Sequence, residues 1–189
     1  MRAALIGAGQ IARQHLACLK TLPSVELTAI CDLSPATAEA AAERYGVRAW
    51  FTDHRLMLEK VRPEVVHITT PPTSHFQLAM DSFDAGAHVI VEKPATTTFE
   101  ELETLVRRAQ EAGRHLAEDY NYVFNQAPQE ILRGIDSGEF GAVAHVEVLH
   151  LPRHPRPGRL RRSQFAALRF DKETTQFSNL ARGFDHTAL

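Results

Sequence analysis

The sequence predicts an α/β protein: a doubly wound parallel sheet over residues 1–120, followed by a shortened α+β domain over residues 121–189. Three observations carry this. Six short apolar runs alternate with stretches of helical spacing, a glycine-rich turn follows the first run at once, and the pattern changes after residue 120.

The strand candidates are "AALIG" (3–7), "VELTAIC" (25–31), "VRAWF" (47–51), "EVVHITT" (64–70), "HVIVEK" (88–93) and "RHLAED" (114–119). Between them, helix starts are marked by Ser34 before Pro35, by Thr52-Asp53, by Thr73-Ser74, and by Thr98 with Glu101 as a capping box. Gly46, Gly86 and Gly113 fall where helices should end, just before a new strand. Strands that are almost continuously apolar belong to a parallel sheet covered on both faces. Beyond residue 120, "NQAPQEILRGIDSGEFG" (125–141) reads as a helix with an apolar stripe at Ile131, Leu132 and Ile135, ending near Gly138. "AVAHVEVLHL" (142–151) alternates as a strand. "PRHPRPGRLRRSQ" (152–164), with three prolines and five arginines, suits a loop or linker. "AALRF" and "TTQFSNLA" read as two strands joined by the polar turn "DKET".

Bulk composition narrows the function. Net charge −2 and 23% charged residues lack the basic excess of a nucleic-acid binder, and the arginines of 152–164 read as a solvated loop. No apolar run reaches the ~20 residues of a membrane span, and the start "MRAALIGAG" turns too early for a signal peptide, so a cytoplasmic protein is expected. Cys18 and Cys31 form neither a disulfide framework nor a metal cluster, and both are expected to be buried free thiols; no metal site is predicted.

The stretch "LIGAGQIARQH" (5–15) carries the first chemistry. Gly7 permits a tight turn after the strand, Gly9 lets the backbone approach a pyrophosphate, and Ala12 allows close helix packing. The residues Gly7, Ala8, Gly9, Gln10 and Ile11 would then present amides and the positive end of a helix to an anion. Asp32, ending the second strand, stands where a carboxylate accepts hydrogen bonds from the adenosine ribose. The cofactor expected is a dinucleotide, NAD in preference to NADP because Asp32 repels a 2′-phosphate. Ser34, Arg13 and Arg44 leave NADP open.

Two further loops lie at carboxyl ends of predicted strands, where open α/β sheets bind ligands. "TTPPTSH" (69–75) offers Thr70, Pro71 and His75 as a wall against the nicotinamide half, with His75 alternatively a capping or packing residue. "VEKPATT" (91–97) places Glu92 and Lys93 at the end of a buried strand. Lys93 is either a solvated strand-end lysine or, in a cleft, an ammonium that hydrogen-bonds a substrate hydroxyl and exchanges its proton.

Taken in order, "GAGQIARQH", "CDLSP", "TPPTSH", "EKPATTT" and "SGEFGAVAHVEV" resemble the glucose–fructose oxidoreductase, inositol dehydrogenase and rhizopine-catabolism (Gfo/Idh/MocA) oxidoreductases over residues 1 to about 150. The resemblance implies an N-terminal Rossmann domain holding NAD(P) and a C-terminal domain on a mostly antiparallel sheet that covers the nicotinamide. It implies hydride transfer to or from a sugar- or polyol-like substrate, with Lys93 catalytic and Lys93-Pro94 cis. Members are usually much longer, and their aspartate–histidine pair has no D-x-x-x-H counterpart after residue 120; Asp185 and His186 are adjacent. Val123 and Gln126 stand where the family often has arginine and proline. The second domain is therefore expected to be truncated or internally deleted, its uncovered sheet favouring a homo-oligomer. The alternative is a catalytically impaired NAD(H)-binding sensor, regulatory subunit or degraded relative.

Overall fold

The computed structural model describes residues 1–141, 146–150 and 166–170 of the chain. It divides into two units, Met1–Asn121 and Tyr122–Leu189.

In the first unit all six expected strands form: β1 (Arg2–Ile6), β2 (Glu26–Cys31), β3 (Ala49–Phe51), β4 (Val65–Ile68), β5 (His88–Glu92) and β6 (Leu116–Asp119). They pair in parallel in the order β3-β2-β1-β4-β5-β6, the doubly wound order with its switch point between β1 and β4. The crossovers carry α1 (Ala12–Thr21), α2 (Pro35–Tyr45), α3 (His54–Val61), α4 (His75–Asp84) and α5 (Phe99–Ala112).

Strand parity distributes the core between the two faces. Ala4, Ile6, Val66, Ile68, Val89 and Val91 pack with Met57, Leu78, Phe83 and Leu105 of α3, α4 and α5. Leu5 and Ile30 pack with Leu16 of α1 and Ala42 of α2, and Ala3 and Val65 with Leu19 of α1. The α1 stripe is Ala12, His15, Leu16 and Leu19, the spacing of one helix face. Cys18 falls outside that stripe and is exposed, so the expectation of two buried thiols holds only for Cys31.

Local chemistry sets the boundaries. Ser34 Oγ accepts from the Thr37 amide, and Asp53 Oδ1 accepts from the Arg55 and Leu56 amides. Thr98 Oγ1 accepts from the Glu101 amide, but Glu101 returns its carboxylate to the Thr97 amide, one residue before the box predicts. Gly46 and Gly113 end α2 and α5 in the left-handed conformation. The amides of Val47 and Arg114 then close back onto Ala42 and Ala109, which is why β3 and β6 start two residues later than their apolar runs suggest. Ser74 is not a side-chain cap: a 3₁₀ turn over Pro72–Ser74 precedes α4, and its hydroxyl serves Thr70 Oγ1 and the Pro71 carbonyl.

In the second unit, α6 spans Gln126–Asp136. Leu132, expected on its apolar stripe, is 51% exposed, while Ile131 and Ile135 are partly buried. β7 (Val146–His150) pairs antiparallel with β8 (Ala166–Phe170). The arginine-rich stretch 152–164, the "TTQFSNLA" strand, Asp185 and His186 lie outside the described residues. Among the described residues no helix is long and apolar enough to cross a membrane.

Candidate functional site

The turn after β1 is built around Gly7. Its φ is +94°, and a Cβ there would stand 2.5 Å from Thr70 Cγ2 and 2.8 Å from the Thr70 amide nitrogen. Glycine is thus required by the Thr69-Thr70 segment after β4 packing against the turn as well as by the backbone. The Gly7 amide donates to the Cys31 carbonyl at 2.7 Å, and the buried Thr69 hydroxyl donates to the Gly7 carbonyl at 2.6 Å. Gly9 differs. A Cβ there would meet nothing within 4 Å, so no neighbour in the chain demands glycine at this position. The space above the turn is open to a ligand.

Helix α1 begins behind Ile11 with no side-chain cap and no acidic residue in its first turn, whereas α2, α3 and α5 are each capped by a side chain. The first amides of a helix have no partner within it, and its N-terminus is positive. The donor set of this turn fits a pyrophosphate.

Asp32 closes one side of the turn. Oδ2 accepts from the Ala8 amide at 2.8 Å and Oδ1 from the Ser34 amide at 2.9 Å. Each carboxylate oxygen keeps a lone pair, so the group is oriented and still able to accept two hydroxyls.

The loops after β4 and β5 are joined by His75. This ring, fully buried, faces the Thr70 carbonyl with Nε2 at 2.7 Å and the Pro94 carbonyl with Nδ1 at 2.8 Å. Both nitrogens meet backbone carbonyls, so the ring fastens the Thr70-Pro71 loop to the Lys93-Pro94 loop and faces no open surface. Pro71 is exposed at the loop's tip. The Lys93-Pro94 peptide is cis, and Lys93 is exposed at the end of β5.

Beneath Lys93 lies a cluster that inspection of the sequence does not suggest. His15 Nε2 is 3.0 Å from Glu92 Oε1 and 3.2 Å from Asp119 Oδ2, while His15 Nδ1 is 3.2 Å from His67 Nδ1. The second Glu92 oxygen accepts from the Lys93 amide at 3.2 Å. Burial, and then the nearby His15, lower the His67 pKa to about 4, so this ring is neutral near pH 7. The carboxylate oxygens of Glu92 and Asp119 and a nitrogen of His15 lie within 4.8 Å of one another, close enough to share a cation. His15 Nε2 faces both carboxylates.

The model of the Gfo/Idh/MocA family, described as an oxidoreductase family with an NAD-binding Rossmann fold, matches residues 1–120. The chain belongs to this family. Among Gfo/Idh/MocA relatives, it is 33% identical over 144 residues to the D-glucoside 3-dehydrogenase of Escherichia coli K12, covering 76% of this chain and 41% of that protein. The inositol 2-dehydrogenase of Salmonella typhimurium LT2 is 28% identical over 153 residues, 79% of this chain and 46% of the relative. The WlbA dehydrogenase from Bordetella pertussis, solved in complex with NADH and UDP-GlcNAcA, superposes with a TM-score of 0.75 at 30% identity, covering 78% of this chain and 43% of that one. The chain spans less than half the length of each.

The family's cofactor is NAD, and the structure brings the predicted residues for it to one edge of the sheet: Gly7, Ala8, Gly9, Gln10, Ile11 and Asp32 at β1 and β2, and Thr70, Pro71, His75, Glu92 and Lys93 at β4 and β5. Within that set, Glu92 and His75 turn inward, each engaged on both sides by other residues. His15, His67 and Asp119 are absent from the sequence reading. Their signal is parity: Val65 and Ile90 face α1, so His67 and Glu92, two residues further along β4 and β5, face α1 as well.

Proposed function

We propose that the chain is the cofactor-binding part of an NAD(P)-dependent oxidoreductase that moves a hydride between nicotinamide and a sugar- or polyol-like alcohol or carbonyl. The observation that carries this is the open, uncapped turn at Gly9 and Ile11 beside the anchored Asp32, with Lys93 exposed across the switch point. Bound there, NAD supplies the hydride acceptor, and its reduced form the donor.

The chain's residues would divide the work. The first amides of α1 and its dipole neutralise the pyrophosphate, with Gly9 giving the room. Asp32, pre-oriented by two amides, accepts the adenosine ribose hydroxyls and disfavours a 2′-phosphate. Thr70 and Pro71, held by His75, form a wall beside the nicotinamide half. Glu92 and Asp119 sit below it. Lys93 donates a hydrogen bond to the reacting oxygen of the substrate and exchanges its proton as the hydride moves. A cytoplasmic homo-oligomer with a second domain supplying substrate contacts completes the reading.

A second reading has its own support. It is an NAD(H)-binding protein without turnover, in which the exposed Lys93 is a solvated strand-end lysine. Following NADH absorbance in wild type and Lys93→Ala with a panel of sugars and polyols separates the two. Turnover lost in Lys93→Ala supports the oxidoreductase. Wild type that binds NADH but turns over none of the panel supports the second reading.

A further inference from the structure

The side chain of Lys93 is exposed, but the backbone that carries it is held at three consecutive residues, each by a side chain from a different element. The Lys93 amide donates to Glu92 Oε2 of β5 at 3.2 Å. The Pro94 carbonyl faces His75 Nδ1 of α4 at 2.8 Å, and the Ala95 amide donates to Glu118 Oε1 of β6 at 2.8 Å.

Strand parity supplies the third anchor. Glu118 lies opposite Val91 in the β5–β6 register, so its side chain emerges on the sheet face where Val91, Ala95 and Leu116 pack. Asp119 emerges on the other face, towards His15. Because β6 ends the sheet, Glu118 has no further strand beside it, and its carboxylate reaches past the end of β5 to the amide of the buried Ala95. A carboxylate on an amide makes a charge-assisted bond, and a buried amide deprived of its acceptor must find another or move.

The other two anchors also serve the segments assigned to the cofactor: Glu92 faces His15 of α1, and His75 faces the Thr70 carbonyl. Glu118 is hydrogen-bonded to neither segment. Beyond Ala95 the bonds of the loop are local, from Thr96 Oγ1 to the Thr98 carbonyl and from the Thr97 amide to Glu101. Among the described residues, Ala95 is thus the last point at which a hydrogen bond ties the chain after Lys93 to the sheet before α5 begins.

We propose that Glu118 is a positioning residue for Lys93: by holding the Ala95 amide it fixes the segment from which the Lys93 ammonium reaches the nicotinamide half of the site. This rests on the reading of Lys93 and NAD given above. Glu118 acts through the backbone and touches neither cofactor nor substrate.

Two variants separate the hydrogen bond from the charge. Glu118→Ala removes the acceptor, and Glu118→Gln keeps an acceptor of the same reach without the charge. Glu118 is exposed at the sheet edge, so neither variant opens the core. Acetylation of the full chain by N-acetoxysuccinimide with and without NADH, followed by peptide mass spectrometry, reads where the Lys93 ammonium stands, with the exposed Lys20 and Lys60 as internal references. In wild type, saturating NADH should slow acetylation of Lys93 and leave Lys20 and Lys60 unchanged. Glu118→Ala should lower that protection about three- to tenfold, the weight of one such hydrogen bond, with the Kd for NADH changed less than about twofold. Glu118→Gln should restore the protection. Hydrogen exchange without cofactor reads the bond itself: the Ala95 amide should exchange faster in Glu118→Ala and stay slow in Glu118→Gln. Equal protection of Lys93 in wild type and Glu118→Ala would overturn the proposal while leaving Lys93 and NADH binding in place. So would loss of protection in Glu118→Gln while its Ala95 amide stays slow. Wild type that binds NADH without shielding Lys93 would remove Lys93 from the site and this proposal with it, and wild type that binds no NADH would remove the cofactor reading as well.

Discussion

His15 Nε2 lies 3.0 Å from Glu92 Oε1, and this contact ties the helix of the glycine turn to the strand end that presents Lys93. Two segments 77 residues apart meet there because α1 covers the face of the sheet to which the even-numbered residues of β5 point. The contact makes the orientation of Glu92, and through its other oxygen the Lys93 amide, depend on the turn.

The two glycines of the turn should separate stability from binding. Gly7→Ala meets Thr70 and a positive φ, and should cost about 2–4 kcal/mol in denaturant unfolding. Gly9→Ala meets no neighbour and should change stability by less than about 1 kcal/mol while weakening NADH binding at least about tenfold. Equal loss of stability in both variants would contradict the division.

Asp32→Ala removes an acceptor from the Ala8 and Ser34 amides as well as the group placed for the ribose. NADH affinity should fall about 10- to 100-fold, and NADPH affinity by less, because the carboxylate no longer repels the 2′-phosphate. Parallel calorimetric titrations read both, and equal losses would exclude the ribose role.

His67 links stability to pH. Its folded pKa, about 4, lies below the ordinary 6.5, so the unfolded chain binds the extra proton first. The stability in question is fully present above pH 6.5 and is lost as pH falls towards 4. Over that window wild type should lose roughly 3 kcal/mol more than His67→Gln, measured by urea unfolding at a series of pH values. Parallel pH profiles would contradict a buried neutral imidazole.

The cysteines should react unequally. Cys18 is exposed, whereas burial and the neighbouring Asp32 and Asp53 push the Cys31 thiol up to about 12. Alkylation of the native protein should modify Cys18 alone, and Cys18→Ser should remove the reaction. Rapid modification of both thiols would show that Cys31 is not sheltered.

Most of the first unit was legible in its residues. Apolar runs bounded by Ser34, Asp53, Thr98 and terminal glycines specify each strand and helix, because caps and left-handed turns are local chemistry. Gly7 and Gly9 were legible for the same reason, as spacing along one turn determines their placement, and Asp32 because the strand after a glycine turn pairs beside it. The cluster of His15, His67, Glu92 and Asp119 was not, since it depends on which sheet face each strand end offers to α1. His75 read as either a wall beside the nicotinamide half or a capping or packing residue, and helix α4 turns it inward onto two carbonyls. Cys18 was misplaced because an apolar neighbourhood does not reveal which residues of α1 lie off its buried stripe.

The central claim is that the turn after β1 holds NAD. Calorimetric titration of the purified chain with NADH and NADPH tests it most directly. The account predicts saturable NADH binding in the micromolar range and weaker NADPH binding, both reduced by Gly9→Ala. Absence of binding to either cofactor, or tighter binding of NADPH, would contradict it.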